Sequence, residues 1–137
     1  MESKGELAIR NILEKARIPF IQEYSPPDLT SIKNKPLRYD FAILDVSGTV
    51  DKVIALVEFD GKQHFEYVEF FSKKKQKWDY MREMDVRKNK YALMNDIPLY
   101  RIPYDKLGAL NSVEDIFLED YRIKTKWDLY DSHLNKN

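Results

Sequence analysis

Residues 52–61 of this 137-residue chain read KVIALVEFDG, and the expected fold can be worked out from this stretch. The run from Val53 to Val57 is apolar at every position, which is typical of a central strand covered on both faces. A second apolar run, Leu37 to Val46, precedes it, and the two are joined through the turn sequence Ser47-Gly48-Thr49. The two runs therefore predict a β-hairpin.

Helices and further strands are predicted on either side of the hairpin. Ser3 and Glu6 form a capping box that begins the first helix, and Pro19 stops that helix from continuing. The predicted elements are a helix at 3–16, a strand at 19–24, the hairpin strands at 37–46 and 52–59, a long helix at 76–95, a strand at 97–102 and a helix at 112–121. The order α-β-β-β-α-β-α predicts an α/β fold in which helices flank a mixed central sheet.

Length and composition predict one domain, residues 1–137, with a core at about 3–104 and a C-terminal helix and tail at 105–137. The chain contains no cysteine, which excludes a disulfide framework, a thiolate zinc site and a cysteine nucleophile. We find no signal peptide and no apolar run near the roughly 20 residues that span a bilayer. We therefore expect a soluble, cytoplasmic protein without a membrane partner.

The charge distribution carries more information than the net charge, which is zero with 23 basic and 23 acidic residues. A neutral chain argues mildly against a dedicated nucleic-acid binder. Between residues 73 and 90, however, eight Lys or Arg stand against three acids. This segment is either a phosphate-binding face or a solvated charged helix, and the sequence leaves the two interpretations open.

Three carboxylates are predicted to converge at the ends of the hairpin strands. Glu58 and Asp60 lie two residues apart and share one strand face, and pairing of the hairpin brings Asp40 close to Glu58. Like charges repel unless a cation lies between them, and hard oxygen ligands favour Mg²⁺ or Mn²⁺ over zinc. The alternatives are a strand-edge aspartate held by a backbone amide and a solvated acidic turn.

Three further residues are candidates for acid–base chemistry beside this cluster. His64 lies four residues after Asp60, and its ordinary pKa near neutrality suits a general base. Asp85 in the long helix is otherwise a solvated acid, and Glu6 is equally well explained as a capping residue. The second histidine, His133, has no such neighbours.

Five short motifs occur in one order along the chain. They are Ser-Lys-Gly-Glu (3–6), Arg-Tyr-Asp-Phe (38–41), Glu-Phe-Asp-Gly-Lys-Gln-His (58–64), Asp-x-x-Lys (85–88) and Ile-Pro-Leu-Tyr-Arg-Ile-Pro-Tyr (97–104). Together they resemble the PD-(D/E)XK nuclease superfamily, and within it the very-short-patch-repair endonucleases and the EDxHD homing endonucleases, which phages often encode. The resemblance covers roughly residues 3–104 and implies a restriction-endonuclease-like α-β-β-β-α-β core. The resemblance also leaves open whether the protein is encoded by a phage and acts in the host cell.

The resemblance assigns roles to five residues. Glu6 matches a water-positioning acid on the first helix, Asp40 the metal-binding aspartate and Glu58 a second metal-contacting position. His64 matches the catalytic histidine and Asp85 the aspartate that orients it. The sequence departs from the wider superfamily at Asp60, which stands where that superfamily has a lysine. Lys62 or Lys88 could supply the missing cation, and Lys88 is preferred because it lies one helical turn from Asp85.

The function predicted from these residues is Mg²⁺-dependent DNA cleavage, with Mn²⁺ as an alternative cofactor. The predicted metal ligands are Asp40, Glu58 and Asp60. Substrate contacts are assigned to Gln63, Lys73, Lys74, Lys75, Arg87 and Lys88. A homodimer would allow cleavage of both strands. The alternatives are a catalytically inactive nuclease-fold subunit that binds nucleic acid or assembles with partners, a junction resolvase, a restriction-type nuclease, and a small metal-binding protein with no nucleic-acid role.

Overall fold

The computed structural model of the chain describes residues 2–62 and 72–128, with side chains from residue 79 onward in the second range. Its elements are α1 (Lys4–Lys15), β1 (Phe20–Tyr24), β2 (Tyr39–Asp45), β3 (Lys52–Asp60), α2 (Ser72–Met94), β4 (Leu99–Pro103), a 3₁₀ helix (Tyr104–Ala109), α3 (Val113–Ile116) and a second 3₁₀ helix (Glu119–Tyr121). The predicted α/β class and the order of elements through β4 are confirmed.

The prediction of one helix over 112–121 was wrong. The capping box of Ser112 and Asp115 does begin a helix, but α3 ends after four residues, at Ile116. Phe117 leaves the helical conformation, and its ring packs edge-on against Tyr100 with centroids 5.2 Å apart. A tertiary contact therefore overrides the local helical signal, and Glu119–Tyr121 forms a separate 3₁₀ turn.

The four strands form one mixed sheet in the order β1-β2-β3-β4. The pairs β1–β2 and β2–β3 are antiparallel, whereas β3 and β4 run parallel. A parallel pair needs a long crossover, and α2 lies within the segment that joins β3 to β4. The register places Glu58 opposite Arg101, which decides the composition of the site described below.

Hydrophobic side chains cover both faces of the sheet. On one face, Val57 packs in a cluster with Ile9 and Leu13 of α1. On the other face, Leu56 packs with Ala92 of α2. Because neighbouring residues of a strand point to opposite faces, the apolar run of β3 serves both clusters, as predicted for a central strand.

Within the described residues, no helix combines the length and the apolar character needed to cross a membrane.

Candidate functional site

A cleft of about 570 Å³ opens where β2 begins and β3 ends. Its charged lining residues, among those that the structure describes, are Glu6, Glu23, Arg38, Asp40, Glu58, Asp85 and Lys88. The cleft therefore brings together four of the five residues for which catalytic roles were predicted. The fifth, His64, lies outside the described residues.

Asp40 and Glu58 hold each other in place through reciprocal hydrogen bonds. The backbone N–H of Asp40 donates to Oε1 of Glu58 at 2.7 Å, and the backbone N–H of Phe59 donates to Oδ2 of Asp40 at 2.7 Å. Each carboxylate is thus oriented by the backbone of the neighbouring strand. The amide-held aspartate that the sequence left as an alternative is present here, but a second carboxylate and a cleft accompany it.

The protonation of Asp40 is strongly perturbed. Burial and then the negative charge of Glu58 raise the pKa of Asp40 to about 8, while the N–H of Phe59 and the charge of Lys88 partly oppose this. Glu6 contributes a smaller effect in the raising direction. Two carboxylates so arranged favour a bound cation, since a positive charge restores the ionised form.

Lys88 of α2 supplies a cation at this pair. Its Nζ lies 2.8 Å from Oε2 of Glu58, and its backbone carbonyl accepts a hydrogen bond from the Tyr39 hydroxyl at 2.7 Å. The ammonium also lies 5.6 Å from the centre of the Tyr39 ring. The preference for Lys88 as the cation close to the carboxylates therefore agrees with the geometry, whereas Lys62 is exposed at the end of β3.

Arg101 of β4 is the site residue that sequence reasoning missed. It is 5% exposed, and it donates to Asp60 at 2.8 Å, to Asp85 at 3.2 Å and to the side chain of Asn89 at 2.7 Å. Its Nη1 also lies 4.0 Å from Glu58. Burial lowers the pKa of Arg101, but the three carboxylates raise it by more, so the side chain is a permanent buried cation.

A signal for Arg101 was present in the sequence. An arginine between Tyr100 and Ile102, in a strand that is otherwise apolar, is costly to bury unless acids neutralise it. The strand within the motif at 97–104 therefore indicates a buried ion pair in addition to the family resemblance.

Arg101 changes the interpretation of two predicted site residues. Asp60 is 1% exposed and is absent from the described lining of the cleft, and its ion pair with Arg101 accounts for an acid at this position. Asp85 does line the cleft, and it also pairs with Arg101. The predicted pairing of Asp85 with His64 lies outside the described residues.

The remaining predicted residues are distributed as follows. Glu6 accepts a 3.4 Å hydrogen bond from the backbone of Ser3 and also lines the cleft, so the capping and site roles coexist. Arg87 lines a second groove of about 450 Å³ and donates to Glu83 and to the carbonyl of Thr30. Gln63 and the side chains of Lys73, Lys74 and Lys75 lie outside the described part of the chain.

Among residues 2–62 and 72–128, no three or more His, Cys, Asp or Glu side chains are arranged to hold a metal ion. Asp40 and Glu58 form a pair of carboxylates in the lining of the cleft, and carboxylate oxygens are ligands of the kind that Mg²⁺ prefers.

Comparison of the chain with protein-family models, with curated proteins and with solved structures gave no match.

Proposed function

We propose that this chain is a metal-dependent DNA endonuclease with a restriction-endonuclease-like α-β-β-β-α-β core. The observation that carries the proposal is the pair of carboxylates Asp40 and Glu58, with Lys88 at 2.8 Å from Glu58, on the wall of an open cleft. Acids that can hold a metal ion, with a cation beside them, are groups that can stabilise the charge that develops in phosphodiester hydrolysis. The resemblance of five motifs, in order, to those of the PD-(D/E)XK nucleases supports the same assignment.

Asp40 and Glu58 would hold Mg²⁺, or Mn²⁺ in its place. The raised pKa of Asp40 supports this, because a divalent cation would stabilise the ionised carboxylate that burial and Glu58 disfavour. When bound, the metal would polarise the phosphate and stabilise negative charge. We leave Asp60 out of the proposed metal ligands because it lies outside the described lining of the cleft, where its Oδ1 pairs with Arg101.

The protein's own groups would perform the remaining steps. Lys88 holds a positive charge beside Glu58, where it can stabilise charge that develops on the phosphate oxygens. Backbone hydrogen bonds keep Asp40 and Glu58 oriented before substrate arrives. The role of His64 as the base that activates water, oriented by Asp85, rests on the sequence resemblance and remains a prediction.

The test is cleavage of supercoiled plasmid in Mg²⁺, in Mn²⁺ and in EDTA. We expect metal-dependent cleavage that falls by at least about 100-fold in Asp40→Asn, Lys88→Met and His64→Ala, the usual cost of removing a group that stabilises the transition state. Glu119→Gln is the matched control, because Glu119 is an exposed acid outside the described cleft lining and pairs only on the surface with Lys124. Cleavage that persists equally in all variants would contradict the proposed site.

Two further results would redirect the proposal. Clean DNA binding without cleavage in any metal would favour the inactive, nucleic-acid-binding subunit. If cleavage is observed, linear, mismatched and branched substrates would separate a restriction-type nuclease, a repair or homing enzyme and a junction resolvase.

A further inference from the structure

The described lining of the cleft is acidic, which poses a problem for a polyanionic substrate. It contains the acids Glu6, Glu23, Asp40, Glu58 and Asp85, and the basic residues Arg38 and Lys88. Lys88 is already engaged with Glu58, and its side chain is 13% exposed. Arg38 lines the same cleft, and its side chain is 64% exposed.

Arg38 is held only loosely. Its Nη1 lies 3.6 Å from Oε1 of Glu23, and the Glu23 side chain is 61% exposed. Exposed pairs of this kind contribute little, because water screens the attraction and both long side chains lose freedom. A phosphate offers the guanidinium a stronger partner, since the planar fork of N–H donors fits two phosphate oxygens at once.

Glu23 has a backbone conformation that residues other than glycine rarely adopt. Its φ is 56°, in the left-handed region. The β1–β2 register runs from Phe20↔Ile43 to Tyr24↔Tyr39 and lacks the pair at Glu23, which falls opposite Asp40. Such strain is concentrated at functional sites, and here it occurs in a residue that lines the cleft beside Arg38.

We propose that Arg38 binds a backbone phosphate of the DNA at the mouth of the cleft, and that Glu23 occupies Arg38 until the phosphate displaces it. The identity of the substrate rests on the proposed function. Arg38 stands two residues before Asp40 in the chain. The phosphate bound by Arg38 would therefore be the neighbour of the phosphodiester held at the carboxylates Asp40 and Glu58. The two partners of the exposed pair then have opposite effects on binding.

The test is binding of a short fluorescent DNA duplex, measured by anisotropy in Ca²⁺ across a series of salt concentrations. Arg38→Ala should weaken binding several-fold and reduce the slope of log K against log salt by about 0.9, the value for one lost phosphate contact. Arg38→Lys should keep most of the slope, because the charge remains. Glu23→Gln should tighten binding, because the competing anion is removed.

Arg122→Ala is the matched control, since Arg122 is an exposed arginine outside the described cleft lining. Thermal melts of every variant would establish that each is folded. Equal affinity and slope for Arg38→Ala and Arg122→Ala, weaker binding by Glu23→Gln, or no salt-dependent DNA binding by the unaltered protein would overturn the inference. DNA binding without cleavage would instead contradict only the proposed function.

Discussion

The ionisation of Asp40, which lines the cleft, makes the stability of the fold depend on pH. Its pKa is raised to about 8 in the folded protein, against about 3.9 in an unfolded chain. At pH values between these two pKa values, Asp40 is therefore protonated in the folded state and ionised in the unfolded state. The contribution of this group to stability is complete below pH 4 and is lost as the pH rises towards 8.

Asp40→Asn should consequently stabilise the metal-free protein at alkaline pH. The neutral amide avoids the charge that burial and Glu58 penalise, so we expect a Tm several degrees higher than that of the unaltered protein at pH 9, with the difference shrinking towards pH 5. Thermal melts in EDTA across this range measure it. A difference that is constant or that grows at acid pH would contradict the assignment.

Asp45→Asn provides the matched control for this experiment. Asp45 is exposed, and hydrogen bonds from the side chain and then the backbone of Ser47 lower its pKa. Its small contribution is therefore present above its unfolded pKa and is lost as the pH falls through the folded value. At alkaline pH, the Tm of Asp45→Asn should not show the increase that is expected for Asp40→Asn.

At the scale of elements, Arg101 joins β3, β4 and α2. It contacts Asp60 of β3 at 2.8 Å and Asp85 and Asn89 of α2 at 3.2 and 2.7 Å. The amide of Asn89 in turn donates to the carbonyls of Lys126 and Asp128. One buried cation thus connects the helix that carries Lys88 to the sheet and to the C-terminal segment.

Arg101→Met should destabilise the fold severely. Removal of the guanidinium leaves the buried carboxylates of Asp60 and Asp85 without the cation that neutralises them. Breaking such a buried ion pair lowers the free energy of unfolding by about 3–5 kcal/mol. Urea unfolding followed by circular dichroism would measure the loss. Arg10→Met is the control, because Arg10 also pairs with two acids, Glu2 and Glu14, but does so at the surface, and little change is expected. A loss as small as that of Arg10→Met would show that the Arg101 pairs are not required for stability.

Gly5 determines how closely α1 approaches β3. A Cβ atom at this position would overlap the ring of Phe59, so Gly5→Ala should push the helix away and displace Glu6 from the cleft. We expect a lower Tm and slower plasmid cleavage. Gly108→Ala is the control, because among the described residues no atom beyond those next to it along the chain lies within 4 Å of a Cβ placed there. Equal Tm values for the two variants would contradict the close approach of α1 to β3.

At the scale of the whole molecule, the proposed metal should stabilise the fold by mass action. A ligand at 100 times its Kd adds about 2.7 kcal/mol to the free energy of unfolding. We expect Mg²⁺ to raise the Tm of the unaltered protein more at pH 8.5 than at pH 6.5, because the metal needs ionised Asp40. The shift should be absent in Asp40→Asn, and an equal shift in both proteins would place the metal elsewhere.

Much of the architecture was predictable because it depends on local chemistry. The capping box of Ser3 and Glu6, the stop at Pro19 and the apolar run of β3 each act within a few residues, and they predicted the elements through β4. The two-residue spacing of strands likewise predicted that Glu58 and Asp60 share one strand face. Pairing of the hairpin was enough to bring Asp40 to Glu58.

The composition of the site beyond that pair depended on contacts between distant parts of the chain. The parallel register of β3 and β4 places Arg101 opposite Glu58, and the packing of α2 brings Lys88 to Glu58 and Asp85 to Arg101. The sequence does not distinguish a carboxylate that a metal ion neutralises from one that an arginine neutralises. Only the tertiary structure distinguishes Asp60, which is paired with a buried cation, from Asp40, because the cost of burying each charge is set by neighbours from other elements.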